Sequence, residues 1–227
     1  MTRETMTQKR RRAAHIIACL KQLYPDAHCA LKHNGPLQLL IATILSAQCT
    51  DARVNQVTPV LFARFPDAES LSRADKRDIE QIIRSTGFFR AKAQSILTTA
   101  QQITAEFDGK IPETMENLTK LRGVGRKTAN VVLGNAFGKN IGVVVDTHVG
   151  RLSRRMNLTG RTDPEKVERD LMKLIPVEEW TLFSHLMIFH GRKVCTARKP
   201  DCAACPLAGA HPSRSVLCPR RGVAANR

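Results

Sequence analysis

The sequence has no apolar run approaching the roughly 18 residues that a bilayer-spanning helix requires. Its longest candidate, Leu39 to Leu45, suits a core helix instead. Acidic residues are also short: 20 Asp and Glu stand against 36 Lys and Arg, for a formal net charge of +16. That imbalance points to a polyanionic partner, nucleic acid first. An anionic membrane surface fits less well, because the basic excess is spread along the chain rather than gathered on one amphipathic helix. Internal repeats and low-complexity linkers are missing too. So is a disulfide framework, since the seven cysteines are an odd number without an export signal. Lys9 to Arg12 followed by Ala13 to Leu20 superficially looks like a secretory leader, but His15 interrupts the apolar stretch and Lys21 ends it. A basic lead-in to a first helix is expected there, and the compartment expected is cytoplasm or nucleoid.

What is present is mostly helical periodicity. At 227 residues the chain holds one large domain or two small ones, with a substantial core. Phe89, Ala93, Ile96, Ala100, Ile103 and Phe107 recur at steps of four and three, the mark of one buried helical face. Asp163 followed by Pro164 reads as an N-cap and first helical position, with Val167, Leu171 and Leu174 as the inner stripe. Leu37 to Gln48 reads as a helix buried on most sides, while Gly142 to Val145 is β-prone and is expected to be a short extended connector. The first 12 residues and Gly222 to Arg227 are expected to be poorly ordered. The fold class that follows is all-α.

The densest chemistry lies in Leu121 to Ala129, L-R-G-V-G-R-K-T-A. Gly123 and Gly125 bracket Val124, and a helix starts directly after them. Glycine accepts backbone angles that other residues resist and lets an anion approach the N–H groups of a turn and a helix start. A phosphate held this way positions nucleic acid without reading its sequence. The same G-x-G also serves as an ordinary helix-linking turn. Lys127 follows Arg126 on the first turn of the helix. A lysine amine becomes nucleophilic when desolvation or neighbouring positive charge lowers its pKa; its plainer role is a solvated phosphate contact. Asp146, in V-V-V-D-T-H-V, either caps the next helix or stabilises a positively charged, sugar-like transition state. One residue serves both purposes, because capping fixes where its oxygens point. His148 and Arg151, just beyond, are candidates for contacts to a nucleic-acid backbone.

Cys195, Cys202, Cys205 and Cys218 run as C-x6-C-x2-C-x12-C, and four thiolates so spaced hold either zinc or an iron-sulfur cluster. Lys193, Arg198, Lys199 and Arg214 crowd the segment, either as phosphate contacts or as a solvated surface.

Taken together, L-R-G-V-G-R-K-T-A-N-V-V, V-D-T-H, L-S-A-Q-C-T-D and the C-terminal cysteines resemble the endonuclease III family of base-excision DNA glycosylases, over about Arg12 to Cys218. The resemblance implies a helix-hairpin-helix enzyme that removes oxidised pyrimidines from double-stranded DNA and nicks the strand at the abasic site. It implies Lys127 as the Schiff-base nucleophile, Asp146 as the assistant of base departure, and Gln48 and Phe88 as residues that wedge into the helix. It also implies a 4Fe-4S cluster on the four cysteines. The family often has leucine where Phe88 stands, and Phe89 beside it is a rival for the same role. The family's usual last cysteine interval is five residues, which lands on His211 here, so Cys218 implies an enlarged final loop and His211 a substitute ligand. The implied architecture is two helical lobes, residues 29–140 as a six-helix lobe ending in the hairpin and residues 1–28 with 141–227 as the cluster lobe. DNA is expected in the cleft between them, and a monomer is expected. Two rivals remain. A monofunctional adenine-type glycosylase lacks the hairpin lysine and carries a further C-terminal domain, and a noncatalytic helix-hairpin-helix clamp needs neither Lys127 nor Asp146.

Overall fold

A computed structural model describes residues 4–208, 217–220 and 222–223. Among the described residues there are eleven α-helices, two short 3-10 turns and no strand. The all-α expectation is met, and among the described residues no helix is long and apolar enough to cross a membrane. The chain divides into two compact units, Cys29–Ile141 and Met1–His28 with Gly142–Arg227.

The Cys29–Ile141 unit holds α2 (Pro36–Leu45), α3 (Asp51–Arg64), α4 (Ala68–Ser72), α5 (Lys76–Ile83), α6 (Phe89–Glu106), α7 (Met115–Lys120) and α8 (Arg126–Ala136). Side-chain oxygens of Thr50, Asp67, Asp75 and Thr114 accept from first-turn amides and so start α3, α4, α5 and α7. The predicted stripe on α6 is real: Ala93, Ile96, Ala100 and Ile103 are fully buried, and the helix packs along α4 and α5. Helix α2 packs on α8 and is apolar on most sides, with Leu39, Leu40, Ile41, Ala42 and Leu45 fully buried. Each such Leu or Ile contributes roughly 1.5–3 kcal/mol through removal from water. This core is the platform on which the glycine hairpin sits.

The other unit holds α1 (Met6–Leu23), α9 (Thr147–Arg155), α10 (Pro164–Met172) and α11 (Trp180–Lys193). Helix α10 begins as expected, with Asp163 as N-cap and Pro164 as its first residue. Residues Val143 to Val145 form no strand, and the Val144 N–H donates to Ser184 Oγ on α11 at 3.1 Å.

The expectation of disorder over the first 12 residues is corrected for residues 4–12, while residues 1–3 lie outside the described residues. Helix α1 starts at Met6 behind a Thr5–Gln8 capping box. Arg12, within the supposedly solvated basic run, is buried and donates to the carbonyls of Met156, Leu217 and Asn157 and to the Glu4 carboxylate. The three carbonyls lie far along the chain, so local composition carried no sign of them. Of the terminal stretch Gly222 to Arg227, residues 224–227 lie outside the described residues, as do His211 and Arg214.

Candidate active site and metal centre

In the Cys29–Ile141 unit the hairpin between α7 and α8 is held from behind by α6. Thr99 Oγ1 donates to the Arg122 carbonyl at 2.6 Å, and Gln102 Oε1 accepts from the Arg122 N–H at 2.9 Å. Gly123 has φ +77°, the left-handed region, and a Cβ built there would lie 3.2 Å from Ser95 Cβ on α6. Both facts favour glycine. Val124 turns its side chain into the core, at 5% exposure, and its N–H donates to the Leu121 carbonyl at 3.1 Å, which closes the turn. Gly125 is the N-cap of α8 and supplies no side-chain cap, an arrangement that suits a helix start to an anion. Lys127 is exposed on that first turn, beside Arg126.

Gln48 and Phe88 share an unusual conformation. Both are non-glycine residues in the left-handed region, with φ +52° and +47°, and both are exposed. Such angles cost a non-glycine residue roughly 1–2 kcal/mol and are tolerated where the surroundings impose them. Phe88 is 68% exposed, whereas Phe89 packs on the core with Arg90 stacked on its ring. Of the two adjacent aromatics, Phe88 is the one presented to solvent.

In the other unit Asp146 is the N-cap of α9. Its Oδ1 accepts from the Val149 N–H at 2.8 Å, and its Oδ2 lies 3.1 Å from His148 Nδ1. The carboxylate is therefore half-buried and fixed at both oxygens. Arg151 does not extend outward: Nη2 donates to the carbonyls of Gly191 at 3.2 Å and Cys195 at 3.0 Å. Sequence reading missed Gly191. A Cβ at that position would come 2.8 Å from His148 Cδ2 and 3.1 Å from Arg151 Nη2, so glycine is what lets α11 approach these two side chains. The available signal was a glycine inside an apolar helix.

The four cysteines line one cavity together with Arg155, His190 and Arg220. Cys195 and Cys218 are buried, and Cys202 and Cys205 are half-buried. Burial pushes the Cys205 thiol up to about 11, and the nearby Cys218 and Cys195 add to that. Cys218 is likewise raised, by burial first and then by Cys195 and Cys202. Thiols that mutually oppose ionisation, buried together, suit a cationic group that neutralises their thiolates. Among the described residues no three His, Cys, Asp or Glu side chains converge closely enough to hold a single metal ion. Four thiols around one cavity make the donor set of a four-thiolate metal centre. Arg155, which sequence reading also missed, is 9% exposed and donates to Cys195 Sγ at 3.3 Å and to the carbonyls of Thr196 and Ala197. It shapes the first cysteine loop from below.

These features define a helix-hairpin-helix protein with a four-cysteine metal centre. Residues 41–177 match the family model of the HhH-GPD superfamily of base excision DNA repair proteins, and residues 195–209 match the iron-sulfur binding domain of endonuclease III. Endonuclease III of Synechocystis sp. is 58% identical over 208 residues, covering 92% of this chain and 95% of the relative. A trapped endonuclease III–DNA covalent intermediate, an estranged-adenine complex, superposes with a TM-score of 0.83 at 43% identity, covering 88% of this chain and 93% of the other. A non-covalent endonuclease III–DNA complex gives 0.83 and 43%, with coverage of 87% and 92%. The chain belongs to the endonuclease III family: it is a base excision repair enzyme, a DNA glycosylase with AP lyase activity, whose cofactor is a 4Fe-4S cluster.

Proposed function

We propose that the chain removes oxidised pyrimidines from double-stranded DNA and cleaves the resulting abasic strand by β-elimination, with Lys127 as nucleophile. The observation that carries this reading is an exposed lysine on the first turn of α8, directly after a glycine hairpin packed against α6. The hairpin amides hold a phosphate, and Lys127 acts on the sugar beside it. Its amine attacks the anomeric carbon, the bond to the base breaks, and the sugar ring opens to a Schiff base. The Schiff base acidifies the adjacent sugar proton; its removal expels the 3′ phosphate. Desolvation of Lys127 comes from the DNA that covers it.

Asp146 assists base departure and the proton transfers, from a position set by its capping bond and by His148. A base inside a duplex shields its anomeric carbon and must leave the stack. Gln48 and Phe88 fill the space it leaves, and the aromatic ring of Phe88 stacks on neighbouring bases. Gly123, Val124, Gly125 and Arg126 contact the phosphate backbone, joined by His148; Arg151 acts on the main chain around Cys195. Cys195, Cys202, Cys205 and Cys218 hold the cluster, whose iron–thiolate bonds cross-link the C-terminal segment. The Cys29–Ile141 unit serves as hairpin lobe and the remainder as cluster lobe. The enzyme acts as a monomer in the cytoplasm, at the nucleoid.

Borohydride reduction with duplex carrying an oxidised pyrimidine traps wild type in a covalent complex, and Lys127→Ala traps none. Base release without trapping in the wild type would instead identify a monofunctional glycosylase. A panel of lesions under single-turnover conditions ranks the substrates, and preference for an intact purine lesion over every oxidised pyrimidine would overturn the substrate class.

A further inference from the structure

Lys92, on the first turn of α6, is only 5% exposed, and its ammonium has two bonds of 2.8 Å, one to the Leu45 carbonyl and one to the Thr86 carbonyl. Its backbone N–H donates to the Phe88 carbonyl at 3.0 Å. A buried ammonium is costly, and burial pulls this one below the usual lysine range. Both acceptors explain why it is retained. Leu45 is the last residue of α2, and the Cys49 N–H that a continuing helix would offer it goes to the Ser46 carbonyl instead. The Leu45 carbonyl is thus a helix-terminal acceptor, where a cation is favoured. Thr86 is buried, its hydroxyl occupied by the Ile83 carbonyl, and it leads into Gly87 at φ +70° and Phe88 at φ +47°.

One ammonium therefore ties the chain just before Gln48 to the chain just before Phe88. These are the two exposed, left-handed residues described above, and they come from turns about forty residues apart in sequence. A methionine would fill the same space without the cost of burying charge. A methionine has no donor, whereas an ammonium carries three on one atom and so fixes two carbonyls to one point.

We propose that Lys92 is a positioning residue that couples the two wedge turns, so that Gln48 and Phe88 enter the duplex at a fixed separation and act on one base pair. The proposal rests on the reading of Gln48 and Phe88 as the wedge. A misplacement of either turn by about an ångström is enough to cost on the order of a hundredfold in a reaction that depends on alignment. Opposite-base discrimination depends on both wedge residues meeting the same orphaned partner.

The test compares wild type, Gln48→Ala, Phe88→Ala, Lys92→Met, Lys92→Gln and the double variant of Gln48→Ala with Lys92→Met as cluster-loaded proteins. Single-turnover base release is measured on duplexes with thymine glycol opposite each of the four bases, and borohydride trapping on a single-stranded abasic oligonucleotide, which has no opposite base to probe. Lys92→Met is expected to slow duplex base release by about tenfold or more, to level the rates across opposite bases, and to leave single-strand trapping as in wild type. Lys92→Gln keeps an N–H donor one bond short and falls between. In the Lys92→Met background, Gln48→Ala costs less than it does alone, as expected for coupled residues. A folded Lys92→Met with wild-type rates and opposite-base ratios overturns the proposal. Failure of both Lys92 variants to fold also overturns it, by assigning the residue to stability alone. Should Gln48→Ala and Phe88→Ala both leave duplex rates and ratios unchanged, the wedge reading itself fails and the coupling with it.

Discussion

Asp146 shows how a single residue joins local structure to chemistry. As the N-cap of α9 it holds the Val149 amide, and with His148 it is fixed at both oxygens. Asparagine caps a helix about as well as aspartate. Asp146→Asn is therefore expected to keep its unfolding midpoint in urea and its affinity for duplex DNA, while slowing single-turnover base release by about a hundredfold or more, in line with loss of a general acid–base group. A fall in stability matching the fall in rate would reduce Asp146 to a cap. The motif admitted both readings, since a carboxylate after an apolar run suits each, and the cap is the one seen in the structure. Phe88 and Phe89 were not separable in the sequence, because adjacent aromatics carry no label for the face that each will meet. The left-handed turn at Gly87 and Phe88 sends one outward and its neighbour into the core.

At the scale of elements, the hairpin was readable as a glycine turn before a helix, but the reason for glycine was not. Gly123 needs both its positive φ and the absence of a Cβ near Ser95, and Ser95 belongs to α6. Gly123→Ala is expected to cost roughly 1–2 kcal/mol in stability, read as a lowered urea midpoint. It should also weaken duplex binding in fluorescence anisotropy at fixed salt, with little change in the salt slope, because no cation is removed. Unaltered affinity would show that the hairpin amides do not hold the strand. Helices α6 and α10 were legible from periodicity and capping, whereas the start of α1 was not. A run of basic residues reads as solvated until a partner appears, and the partners of Arg12 include the Met156 and Leu217 carbonyls.

At the scale of the whole molecule, residues close to the C-terminal end of the described chain belong to the core of their unit. Leu217 and Cys218 are buried, the former with its carbonyl held by Arg12, and Cys218 lines the same cavity as the other three thiols. Cys218→Ala is expected to lose the visible absorbance and iron content of the purified protein and to lower its thermal midpoint, because cluster binding is linked to folding. His211→Ala should retain all three. The reverse pattern would make His211 the fourth ligand. The sequence by itself determined the helical class, the polyanionic partner, the glycine hairpin with its lysine, the capping aspartate and the four cysteines. Each of these is written in local spacing, charge or residue type, which a linear chain carries openly. Only the tertiary structure decided that Arg12 is buried, that Val124 turns inward, that Gly191 makes room for His148 and Arg151, and that Lys92 ties two distant turns together. Those outcomes depend on which carbonyls and side chains meet across the fold, and contacts between residues far apart in the chain leave no periodic trace in it.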